Sequence, residues 1–517
     1  MQNYRNYMIE CTCIGMTMKK LTFTTLILIM LISMSACGRR SNQTEEPAEV
    51  VPVYQPETPA TEEPAIRPTK PETATEVPFE PTYIWEIWTL TDIDVEGWKA
   101  DIVQLRNHVF RVHPKFAYDE LVDLPHNIQI GIAFDKHIDR LLENVPYLTL
   151  FEIMAELQRI TALLGDNHFG FGTAVPLIRT PDAITFMLQL RENRYPLKFR
   201  WFYDGFYLYR AVEREDVIPG LNNKLVAING IPLENIFSDF IRFMSVENIY
   251  DERSSFARYL NSPGILYALG VWEREQTVYT LMSNDGKLIH VTMTESVVPR
   301  NTNEYWHLVF HEPLTDNRND GELPLFLQNS HLANWYTFIE EYGILYIRIN
   351  LYFPWDDLDF IPHVAELAGE KGESINAVII DARNNPGGDE QPYHILFNAV
   401  AEAVSPGNLF YFMNEGSLSA SLLSGGYLYE LGAVIVGHPS GQLIDFYAFS
   451  GHGFDFNLSL RNTWANIAIP NRFLTIRNHG VAAVDMIFRP HVLIEYTVDV
   501  WINNRDPYLE FVLNLLR

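Results

Sequence analysis

Three continuous apolar runs near the carboxyl end frame this chain: Asn376 to Ala382, Asn408 to Met413, and Gly432 to Gly437. They lack the polar alternation of a half-exposed strand, so each predicts a strand covered on both faces, as in parallel sheets. Between the first two, Ile395, Leu396, Ala399, Val400 and Ala403 recur at helical spacing. Leu422, Leu423, Tyr427 and Leu428 do the same between the second and third. The alternation predicts an α/β unit with a parallel-containing sheet. Farther forward, a helix pattern runs from Leu148 to Leu164. The segments Asp204–Tyr209 and Lys224–Leu233 read as strands, with Asn229-Gly230 as a tight hairpin turn. Asn248 to Leu269 reads as a helical insertion.

The chemistry is expected where strands give way to helices. The first run ends in Asp381-Ala382-Arg383-Asn384-Asn385-Pro386-Gly387-Gly388, and the second in Gly416-Ser417-Leu418-Ser419-Ala420-Ser421. In a parallel sheet both loops leave at the carboxyl edge, where such sheets place ligands. The glycines let backbone amides approach a ligand closely. Ser419 at a strand-to-helix turn projects its hydroxyl, and the Ala420 amide is placed to stabilise an oxyanion, with Gly388 or Gly387 as second donor. Taken singly, Pro-Gly-Gly is also an ordinary turn and Ser419 also an ordinary helix cap. Together they suit a serine nucleophile, which needs a base to take its proton.

These residues resemble the C-terminal processing and tricorn-core serine peptidases, the tail-specific protease family, over most of the chain beyond residue 82. Processing-protease members take a lysine as base, in a Gly-Glu-Pro-Thr-x-Gly-Lys segment. Here Gly437-His438-Pro439-Ser440-Gly441-Gln442-Leu443 stands in that place, and no lysine follows Lys371. The tricorn-like branch takes a histidine from an N-terminal helical domain, and Leu163-Leu164-Gly165-Asp166-Asn167-His168 matches that segment. The resemblance therefore implies His168 as base and Ser419 as nucleophile, with His438, His452 and His479 as competing bases. Ser417 replaces the family's threonine. Asp485 lies near where an acidic residue would orient the base, without a firm assignment. The resemblance implies a multidomain α/β protein: an N-terminal helical domain at 83–175, a PDZ-like β module with its insertion at 176–334, and an αββ-type catalytic domain of the ClpP or crotonase kind at 335–517. The β module either positions peptide or is a spacer. Arg489 to Ile494 and Asn504 to Leu509 resemble the family's closing strand and helix.

The front of the chain concerns location. Lys19 and Lys20 precede an apolar stretch, Leu21 to Met34, then Ser35-Ala36-Cys37. That order predicts a signal peptide over residues 1–36, including an upstream extension, with lipidation at Cys37. Residues 37–82 read as a tether. Between Glu45 and Pro81 there are nine Glu, nine Pro and two basic residues, a composition that stays extended and buries no core. The expectation is an exported protein, lipid-anchored at the outer face of the cell membrane or on the periplasmic side of the envelope. A formal charge of −27 argues against nucleic acid. Cys11, Cys13 and Cys37 are the three cysteines, so the mature body has no thiol for catalysis, and nothing in the motifs calls for a metal or cofactor. A peptide or unfolded protein is the expected substrate. The alternative is a non-catalytic lipoprotein that binds a peptide or apolar ligand on the same fold.

Overall fold

The computed structural model describes residues 93–169, 194–274, 276–294, 314–352, 359–449, 457–463, 466–483 and 485–517. The signal, Cys37 and the tether lie outside them, as does His452. The chain divides into two units, Met1–Val77 and Pro78–Arg517, and all the described residues belong to the second.

The described chain opens with helices α1 (Val95–Val112), α2 (Pro125–Asn144) and α3 (Leu150–Ala162). Helix α3 starts on a capping box: Glu152 N donates to Thr149 Oγ1, and Thr149 N donates to the Glu152 carboxylate at 2.7 Å. Its apolar stripe, Ile153, Met154, Leu157 and Ile160, is buried against Phe134 and Ile138 of α2.

A seven-stranded sheet follows. Strands β1 (Leu197–Phe202), β2 (Gly205–Val212), β3 (Lys224–Ile228), β5 (Gln276–Met282) and β6 (Leu288–Thr294) run in that order. The short β4 (Ile231–Pro232) pairs with β3, and β7 (Leu314–Thr315) with β2. Asn229 and Gly230, at φ 48° and 75°, form the expected two-residue turn between β3 and β4. Helices α4 (Leu233–Phe243), α5 (Ile249–Tyr259) and α6 (Pro263–Ala268) fill the insertion. This sheet and the three N-terminal helices share one core, in which Leu157 and Ile160 belong with Leu208, Leu225 and Tyr279.

The second sheet has the order β17-β12-β11-β10-β9-β8. Its strands are β8 (Asn334–Ile339), β9 (Ile344–Ile349), β10 (Ala377–Asp381), β11 (Leu409–Met413), β12 (Val434–Gly437) and β17 (Val492–Leu493). Strands β9 to β12 and β17 are parallel, and β8 is an antiparallel edge. Every residue of β10 and β11 is buried, as the continuous apolar runs predict. Alternate residues serve opposite faces. Val378, Ile380, Tyr411 and Met413 pack with helices α7 (Phe360–Lys371), α8 (His394–Ala403) and α9 (Ala420–Glu430). Ile379, Phe410 and Phe412 pack with α10 (Pro507–Leu515). Two two-stranded antiparallel sheets complete the described strands: β13 (Asp445–Ala448) with β16 (Arg472–Thr475), and β14 (Asn457–Ser459) with β15 (Asn466–Ala468). Leu458 and Ile467, from the latter, join the helical core. The fold is thus mixed α/β with a parallel-containing sheet. Among the described residues no helix is long and apolar enough to cross a membrane.

Candidate active site

The loops after β10, β11 and β12 meet at one sheet edge and are stitched to each other. Ser417 Oγ donates to Ala382 O at 2.9 Å, Leu418 N donates to Asn385 O at 3.0 Å, and Ser440 Oγ donates to Ser417 O at 2.7 Å. Asn414 and Asn384 exchange two further bonds, from Asn384 N at 2.7 Å and from Asn414 Nδ2 at 2.9 Å. Beneath the glycine loop sits a buried ionic cluster. Arg348 and Arg383 both bond Asp381, and Arg383 also holds Asp506 through two bonds of 2.9 Å. Burial alone would raise the Asp381 carboxyl, but Arg383 and Arg348 hold it down to about 2. Arg383 of the Asp-x-Arg loop thus ties Asp381 to Asp506, while Arg348 holds the loop carbonyls of Asp381 and Arg383.

Ser419 caps the start of α9 with φ 53° and ψ −119°, a conformation that costs a non-glycine residue energy and recurs at functional sites. Its Oγ makes no hydrogen bond among the described residues. Gly387 lies directly against it: a Cβ there would come within 2.6 Å of Ser419 Cβ and 3.2 Å of Ala420 N. Gly388, at φ 133°, has a carbonyl of Tyr352 where its Cβ would stand. The Ala420 amide, first in its helix, donates to no protein group among the described residues. Of the two glycine amides, that of Gly387 is engaged by Asn385 Oδ1 at 2.8 Å, which leaves Gly388 as the free donor.

His168 arrives from the turn after α3. Its amide donates to Asp166 Oδ1 at 2.9 Å, and its ring lies between Phe446 and Phe449. Burial lowers its pKa, partly opposed by Asp166, so the ring is neutral at pH 7. Gln442 spans the space between the two predicted residues. Its Oε1 accepts from Ser419 N, and its Nε2 lies 3.2 Å from His168 Nδ1. No hydrogen bond joins Ser419 to His168 among the described residues. Glu247, from the loop before α5, accepts from Leu443 N at 2.8 Å and from Asn167 N at 3.3 Å. Burial, and then the neighbouring Asp166, push its carboxyl well above the usual range.

Neither Glu247 nor Gln442 was visible as a site residue from sequence. The one signal was positional: Gln442 follows Gly441 in the segment where a processing protease carries its lysine. Asp485 bonds Arg489 at the surface and gives His168 no described contact. The competing histidines are engaged elsewhere, His479 with Glu430 at 2.6 Å and His438 beside Glu415 at 3.6 Å. Ligating atoms of Asp166, His168 and Glu247 lie within 4.8 Å of one another, a spacing that could hold a metal. Those carboxylates already accept protein amides, and Asp166 also meets His113 Nε2 at 3.0 Å. The set therefore fits a hydrogen-bonded proton network better than a cation.

No protein-family model and no curated protein matches the chain. Among solved structures, mature CPAF complexed with lactacystin matches with a TM-score of 0.53 at 14% identity, covering 82% of this chain and 98% of that one. A serine-to-alanine mutant of CPAF matches at 0.54 and 13% identity, covering 82% and 96%. This chain has the CPAF fold. The photosystem II D1 C-terminal processing protease is also similar, with a TM-score of 0.38 at 14% identity over 81% of this chain and 97% of that one. The likeness to CPAF bears out, at the level of fold, the resemblance drawn from the motifs.

Proposed function

We propose that this chain is a serine peptidase that hydrolyses peptide bonds, as an endopeptidase or a tail-specific one. Ser419 Oγ attacks the scissile carbonyl, His168 takes its proton and delivers it to the leaving amine, and the Gly388 and Ala420 amides hold the oxyanion. The observation that carries the reading is the step Ser419-Ala420. A strained serine opens a helix with its hydroxyl and the following amide both unengaged, pressed against Gly387, with a neutral histidine one glutamine away. The missing Ser419–His168 bond is compatible with this, because such bonds often form only once substrate is bound. Gln442 would then shift as substrate enters. On this reading 83–175 supplies the base, 335–517 is a ClpP-like catalytic part, and the first sheet is a PDZ-like module that places the peptide. Lipid on Cys37 and the acidic, proline-rich tether would hold the enzyme outside the cell membrane.

The test compares the detergent-solubilised full chain with Ser419→Ala on a mixed peptide library read by mass spectrometry. Cleavage by the unaltered chain alone is expected; equal cleavage by both would remove Ser419 from the chemistry. The anchor is tested by metabolic labelling with a clickable fatty acid, which Cys37→Ser should abolish. The separation of Ser419 from His168 by Gln442 also favours a second reading, a lipoprotein that binds peptide without cutting it. That reading predicts peptide retention, without cleavage, by both forms.

A further inference from the structure

A cluster of cations lies beside this site. The chain carries 65 acidic and 38 basic residues, yet a cavity of about 360 Å³ along β1 is lined by Arg194, Lys198, Arg200 and Arg258 against a single carboxylate, Glu415. Lys198 and Arg200 alternate on one face of β1, the terminal strand of its sheet, and Arg258 comes from α5. Among the described residues no salt bridge joins Lys198, Arg200 or Arg258 to a carboxylate, although Arg200 acts at longer range on Glu415 and Arg258 on Asp251. Arg200 lies over the Tyr496 ring at 4.9 Å. Burial, and then Arg210 and Arg194, depress the Lys198 ammonium. The one acid is already committed: His438 and Arg200 hold Glu415 in its ionised form against the burial that would raise it.

Two further lining residues give the cavity its meaning. Asn384 belongs to the glycine loop, and Glu415 precedes Gly416 in the segment that leads to Ser419. The cavity therefore lies between β1 and α5 and reaches the loops at the proposed catalytic strand ends.

We propose that this cavity is a subsite for acidic side chains of a peptide, Asp or Glu, whose chain continues toward Ser419. The inference rests on the peptidase reading for its direction, although the binding itself does not depend on cleavage. Carboxylates would meet exposed Lys198 and Arg258 and half-buried Arg200, which offer charge-assisted hydrogen bonds. In a chain that repels anions at long range, such a pocket selects acidic segments at close quarters.

The test is isothermal titration of the full chain carrying Ser419→Ala, so that nothing is cleaved. The probes are a Glu-containing peptide with acetylated and amidated ends, its Gln counterpart, and a neutral peptide with a free C-terminus. The Glu peptide should bind at least about fivefold tighter than the Gln one. Lys198→Glu and Arg258→Glu should each weaken it about fivefold or more, whereas Lys287→Glu, the same charge change on the exposed β5–β6 turn, should not. If the Glu variants melt early, Lys198→Gln and Arg258→Gln make the same comparison with a milder change. Equal binding of the Glu and Gln peptides overturns the proposal, as does full affinity in the pocket variants. Tightest binding of the neutral free-ended peptide also overturns it, because the pocket would then read a chain terminus. Because binding is read without turnover, its failure is separate from failure of the peptidase reading.

Discussion

Two clusters of charged side chains, one around Asp381 and one around His168, are built on opposite plans. Around Asp381, two guanidiniums meet two carboxylates, and each charge has a partner: Arg348 and Arg383 on Asp381, and Arg383 again on Asp506. The outcome is a carboxyl lowered to about 2 and a loop that cannot shift without exposing a charge. Around His168, three carboxylates (Asp166, Glu247 and Asp251) face two buried imidazoles and one depressed lysine, Lys115. Burial wins there. It raises Glu247 and Asp251 and lowers His113, His168 and Lys115. Balanced charge makes a fixed anchor, whereas unbalanced charge makes a group of side chains whose protons respond to what enters. On the proposed peptidase reading a catalytic site needs both, the first under the proposed oxyanion loop and the second at the proposed base.

The comparison breaks first at His168. His168→Ala should lower peptide turnover about 10⁴-fold, while costing no more than about 2 kcal/mol of stability. Steady-state kinetics beside chemical denaturation would check it, and turnover within tenfold of the parent would put the base elsewhere. The anchor should respond the other way. Arg383→Met strands Asp506 in the interior and leaves Asp381 with Arg348 alone, and denaturation should report a loss of about 3–5 kcal/mol. A loss below about 1 kcal/mol would mean that the cluster is not the anchor described. Acid acts more gently on the same cluster. The Asp381 pKa is depressed on folding, so its contribution is complete above 3.8 and is lost as pH falls toward 2. A denaturation series over that window should fall by on the order of 2 kcal/mol from this group, and the Asp381→Asn variant should lack that limb.

What the sequence made legible, and what it hid, follows the same division. Strands β10, β11 and β12 could be read because burial on both faces leaves an unbroken apolar run. The turn at Asn229-Gly230 could be read because few residue pairs adopt two successive positive φ values. Ser419 is proposed from a serine at a strand-to-helix turn beside the glycine loop, and His168 from the family resemblance. The contacts between motifs were not legible. Glu247 meets Leu443 across 196 positions, and Arg383 meets Asp506 across 123, through loops with no periodicity to betray them. The cationic pocket was hidden for another reason: Lys198 and Arg200 on alternate positions look like the wet face of an ordinary strand.

Glu247 sharpens the comparison with the smallest change. Its folded pKa lies well above 4.5, so the native state holds a proton that the unfolded chain releases. Stability from this group is therefore complete below 4.5 and declines as pH rises through the folded value. His113 and His168 act with the opposite sign. Lowered on folding, they cost stability as pH falls through 6.5. Between 4.5 and 6.5 the contributions oppose each other in the native protein. Glu247→Gln fixes the neutral form and removes one of them, at a cost of about 1 kcal/mol for an altered hydrogen bond to Leu443 or Asn167. Stability of the variant should then climb more steeply with pH across that window than that of the parent. Parallel curves from denaturation at several pH values would mean that Glu247 is ionised in the native protein. The cluster at His168 would then be as charge-fixed as the one at Asp381.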